Sequence, residues 1–108
     1  MKKKEYKEID HTLSLEDRII CTYLRGSIPF ITCKYVTIVD IGDMIVLPKK
    51  EESIYKIKNI KDLTENTKEL ILQNMQYPKK EIRLQISSKT KFQKVIGIQN
   101  FLGGDYYE

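Results

Sequence analysis

The most constraining feature of this chain is a seven-residue alternation. Glu81-Ile82-Arg83-Leu84-Gln85-Ile86-Ser87 switches between polar and apolar at every step, after the breaker Tyr77-Pro78. A period of two marks a strand with one face buried and the other in water. Such a strand cannot be stable alone, so the rest of the chain must supply neighbours for it. The composition is suited to that. Of 108 residues, 16 are Ile, 4 Val and 7 Thr, and Ala is missing altogether. Branched side chains are stiff at χ1 and fit a pleated surface, while Ala is the strongest helix former.

Further strand-like runs follow from the same pattern. Phe30 to Val39 lies beyond Gly26-Ser27-Ile28-Pro29, and Met44 to Leu47 lies between Gly42-Asp43 and Pro48. Ile54 to Ile60 is another run, preceded by the polar turn Lys49 to Ser53. Two segments are ambiguous. Residues 62–76 read either as a turn with a return strand over Lys68 to Asn74, or as a helix capped at Asp62 with Leu63, Leu70, Ile71 and Met75 on one face. Residues 88–102 read either as a strand over Lys91 to Ile98, or as a helix that Gly97 weakens. Near the start, Ser14 and Asp17 have capping spacing, yet Ile19-Ile20-Cys21-Thr22-Tyr23 looks like a strand. The expectation is one turn of helix near residue 14 and a strand from Arg18. A hairpin about Ser27 then sets Cys21 opposite Cys33, Ile19 opposite Tyr35 and Tyr23 opposite Ile31.

Short strands with turns every 8–12 residues imply a mainly β fold, a small barrel or sandwich with one or two short helices. The stretch Gly42-Asp43-Met44-Ile45-Val46-Leu47, a polar turn and Tyr55-Lys56-Ile57-Lys58-Asn59-Ile60 resembles the second and third strands of an SH3-like barrel. This resemblance implies an architecture and carries no functional residue with it. One domain is expected over 13–102, with a basic flexible N-terminus over 1–12 and a tail over 103–108.

Several kinds of chemistry are hard to build here. No apolar run approaches the roughly 18–20 residues of a membrane span, and no secretion signal is expected after the basic start. Cys21 and Cys33 are the only cysteines, too few for a disulfide scaffold, so a cytoplasmic protein with reduced thiols is expected. With His11 as the sole histidine, a zinc site lacks its ligands. A dyad of His11 with either thiol is outweighed by the simpler expectation of an exposed histidine and half-buried cysteines. The carboxylate pairs Glu16/Asp17 and Glu51/Glu52 sit beside basic residues, and Asp40 and Asp43 flank Gly42 in turn chemistry. There is no GxxxxGK[ST] and no GxGxxG. No enzyme, no cofactor and no metal is expected.

What remains is charge. The chain carries a net +4, but residues 77–94 hold six basic groups against Glu81, so that stretch is +5 and the remainder −1. Tyr77, Lys79, Lys80, Arg83, Lys89, Lys91 and Phe92 mix cations with rings, and Lys56 and Lys58 share a face of their own strand. Cations bind phosphate, and exposed rings stack on unpaired bases. The first expectation is therefore a non-enzymatic protein that binds nucleic acid through a basic β surface made of these nine residues. The alternative is a protein-interaction module, an inhibitor of a host enzyme of mobile-element or phage type, since tyrosine is enriched at interfaces. A homo-oligomer closed by an exposed strand edge is a further option.

Overall fold

Ser14 decides the first element of the computed structural model, which describes residues 13–47 and 53–99. Its hydroxyl accepts the backbone N–H of Asp17 at 3.1 Å and caps helix α1, Leu15–Leu24. Glu16 and Asp17 stand in the first turn, where the helix dipole favours acids. The far end closes as a Schellman motif. Gly26 takes φ +80 and donates to the Tyr23 carbonyl at 2.9 Å, and Ser27 donates to Thr22 at 3.1 Å. Capping at both ends overrides the β-branched run Ile19–Tyr23. The strand expected from Arg18 is therefore helix, and the hairpin opposing Cys21 and Cys33 does not form. Ile19 is fully buried, and both cysteines are free thiols.

Six strands follow: β1 Phe30–Val36, β2 Met44–Leu47, β3 Ser53–Asp62, β4 Thr67–Asn74, β5 Glu81–Ser87 and β6 Phe92–Gln99. They form one sheet in the order β1-β6-β2-β3-β4-β5. The fold is mainly β, as the composition implies. The sheet is not closed: β1 and β5 are its two edges, where a small barrel or sandwich was expected. Both ambiguous segments resolve as strands. Residues 63–66 make the turn that sends β4 back along β3: the Leu63 N–H donates to the Thr67 carbonyl at 3.0 Å, and the Thr64 and Thr67 hydroxyls meet at 2.7 Å. The expected N-terminal arm with His11, the 103–108 tail and most of the Lys49–Ser53 turn lie outside the described residues.

The chain divides into two compact units, Cys33–Val95 and Met1–Thr32 with Ile96–Glu108. Within the first, alternation builds the core. Ile45, Tyr55, Ile57, Leu70, Leu72 and Phe92 form a buried cluster, with Ile82, Leu84 and Ile86 of β5 packed half-buried against it. Each fully buried aliphatic side chain contributes about 1.5–3 kcal/mol. β2 lies between β3 and β6, and Met44, Ile45 and Val46 are all buried, so both faces of that strand are covered. Its approach turn is fastened at Gly42, where φ is +98: the Gly42 N–H donates to the Ile57 carbonyl, and the Ile57 N–H donates to the Asp43 carbonyl, both at 2.8 Å. Asp43 Oδ2 also accepts the Asp40 N–H at 2.9 Å, so this carboxylate builds the turn.

Candidate nucleic-acid interface

The wet face of β3, β4 and β5 is ordered by register. Lys56, Gln73 and Glu81 form one cross-strand row, Asn59, Ile71 and Arg83 the next, and Lys61, Glu69 and Gln85 the third. Lys56 and Arg83 therefore share a face, two strand spacings across and one row along, or about 12 Å apart. β4 lies between them and brings an acid. Glu69 Oε1 accepts from Arg83 Nη1 at 3.4 Å, an ion pair between an exposed guanidinium and a mostly covered carboxylate. The β3–β4 register slips between Ile57 and Asn59, which leaves exposed Lys58 as the extra residue of a bulge.

The basic segment is not one cluster. Tyr77, Lys79 and Lys80 lie in the turn before β5, and Lys89 and Lys91 lie in the turn after it. Six residue steps of extended chain put about 20 Å between those turns. Arg83 stands between them on the wet side. Among the described residues, ion pairs join Arg83 to Glu69, Lys94 to Asp43 at 3.6 Å and Lys68 to Asp62 at 3.9 Å. Lys79, Lys80, Lys89 and Lys91 take part in none of these pairs. The result is a track of cations along the outer strand of the sheet.

Both turns are braced by side chains. Asn74, only 3% exposed, accepts the backbone N–H groups of Gln76 and Tyr77 on Oδ1, each at 2.9 Å. Its own N–H donates to the Lys80 carbonyl at 2.9 Å, and Gln73 Nε2 donates to the Pro78 carbonyl at 2.9 Å. At the other end, Thr90 Oγ1 accepts the Ser87 N–H at 3.0 Å, and Ser87 Oγ accepts the Lys89 N–H at 3.2 Å. Tyr77 keeps 60% of its surface exposed, as the expected stacking role requires. Phe92 does not. It is 5% exposed within the core cluster, and the expected stacking role does not fit a ring already packed against Ile45 and its neighbours.

A pocket of about 200 Å³ opens at the Ser88 end of β5. Ile60, Leu70 and Ile86 are among its apolar lining, and Thr37, Asn66 and Ser88 among its polar lining. Its end is stitched by the Ser88 N–H donating to the Asn66 carbonyl at 3.0 Å. Sequence patterning does not reveal this pocket or the bracing role of Asn74. An Asn just ahead of Tyr77-Pro78 is the one available signal, since Asn side chains mimic backbone in turns.

Among the described residues no helix is long and apolar enough to cross a membrane. Comparison of the chain with protein-family profiles, with curated proteins and with solved structures found no match.

Proposed function

We propose that the chain is a non-enzymatic binding protein that takes nucleic acid along β5 and its flanking turns. The supporting observation is the cation track: four lysines without an acidic partner among the described residues, two at each end of a regular strand, with Arg83 between them. Phosphate backbones are bound by such positive side chains through counterion release, without a chemistry of bond making. Tyr77 beside Lys79 and Lys80 favours single strands, whose bases are free to stack. The open edge of β5 also favours a second reading. Unpaired backbone N–H and C=O groups can accept an extended acidic peptide as an added strand.

The test is a fluorescence anisotropy titration of the full chain with single- and double-stranded oligonucleotides at two salt concentrations. The expected result is tighter binding of the single strand, a steep loss with salt, and a shallower salt slope for Lys79→Ala/Lys80→Ala/Arg83→Ala. Absence of binding at low salt overturns the nucleic-acid reading. Binding of an acidic peptide in that same low-salt experiment then supports strand addition.

A further inference from the structure

We propose that the pocket at the Ser88 end of β5 receives the base of one unstacked nucleotide. This inference rests on the nucleic-acid reading and names the part of the ligand that the cation track cannot recognise. Size is the first consideration. At about 200 Å³ the pocket is smaller than the 300–1,000 Å³ of sites for drug-sized ligands, so it suits a single ring system rather than a whole cofactor. The lining is the second. Ile60 and Ile86 offer aliphatic surface to the faces of a planar ring, over a floor that includes the fully buried Leu70, and Glu65 and Lys68 add one charge of each sign to the lining. The Asn66 carboxamide carries both a donor and an acceptor, and the Ser88 hydroxyl can serve as either. Neither side-chain group has a hydrogen-bond partner among the described residues, so both are available to the edge of a base. Continuity is the third. Ser87 and Ser88 line the pocket, Lys89 follows directly in the chain, and Lys91 comes two residues later. A phosphate held by those lysines therefore delivers its own nucleotide to the pocket mouth. A paired and stacked base has no such freedom, so the pocket selects single strands.

The experiment follows amide chemical shifts of the full chain while uridine monophosphate or adenosine monophosphate is added, with ribose 5-phosphate as the base-free control. The nucleotides are expected to shift Asn66, Leu70 and Ser88, and the sugar phosphate is expected to leave those three unmoved. Asn66→Ala is expected to weaken nucleotide and single-strand oligonucleotide binding about fivefold, the worth of one hydrogen bond, with the salt slope unchanged. Equal shifts from the sugar phosphate, or an Asn66→Ala variant that binds the oligonucleotide like the parent, overturn the pocket while leaving the track intact. An oligonucleotide that fails to bind the parent chain at low salt overturns the track itself, and the pocket with it.

Discussion

Replacing Glu69 by Gln isolates the electrostatic claim in one atom. Glu69 Oε1 lies 3.4 Å from Arg83 Nη1, and the Arg83 side chain is well exposed while the Glu69 side chain is mostly covered. Gln keeps the shape and an accepting oxygen but removes the charge. The fold should respond by about 1 kcal/mol, because one partner stays in water although the carboxylate is mostly covered. Binding should respond more. Each phosphate neutralised on a single strand adds about −0.7 to the slope of log affinity against log salt, so the four unpaired lysines imply about −2.8. Freeing Arg83 brings the slope to about −3.5. Between 50 and 200 mM salt the parent then loses affinity about 50-fold and Glu69→Gln about 130-fold. Anisotropy titrations at four or five salt concentrations resolve that difference, with urea unfolding of both proteins as the control for stability. Lys34→Ala, on β1 at the opposite sheet edge, should leave the slope where it is. An unchanged slope in a normally folded Glu69→Gln protein would refute the idea that Arg83 is a latent phosphate contact.

Two further outcomes follow from the buried Asn74 and the half-buried Cys33. Asn74→Ala leaves the Gln76 and Tyr77 N–H groups without their acceptor, so urea unfolding should show a loss of about 1–3 kcal/mol, with single-strand affinity falling as the Tyr77–Lys80 turn loosens. Burial pushes the Cys33 thiol above its ordinary range, so a disulfide reagent at neutral pH should modify Cys33 more slowly than a free small thiol. For stability the sign is set by the same shift. A raised native value means that the unfolded chain loses its thiol proton first, so the contribution is present below the ordinary thiol value and fades as pH rises through the native one.

The legible parts of the fold were those with one dominant local signal. The Glu81–Ser87 alternation became β5 with the expected bounds, and Met44–Leu47 became β2, because apolar patterning and flanking breakers agreed there. The segment Arg18–Leu24 was not legible by propensity. Five strand-like residues lost to a Ser14 cap and a Gly26 closure, interactions made outside the run itself. The choice between strand and helix over 62–76 was open because Leu70 and Leu72 satisfy a period of two, while Leu63, Leu70 and Ile71 satisfy a helical face. The hydroxyl pair Thr64/Thr67 and pairing to β3 decided it. The candidate site was visible as charge but not as geometry. Counting lysines over 77–94 treats them as neighbours, whereas β5 holds them in two groups. Phe92 looked like part of the basic segment because it follows Lys91, yet strand parity turns it into the core. Glu69 was overlooked for the opposite reason: it is distant in sequence from Arg83 and adjacent across the β4–β5 ladder.

The uninterrupted register of β5 has a colloidal consequence. A straight outer strand is the usual starting point for molecules to stack into fibres, and this one has no bulge to bend it away. If two copies approached antiparallel about Leu84, however, Lys79 of each would meet Lys89 of the other, so the same ammonium groups act as a fence at both ends. That fence has a range of about 8 Å at physiological ionic strength and about 3 Å in molar salt. The chain should therefore stay dispersed in dilute buffer and lose its protection against edge-to-edge growth in concentrated brine.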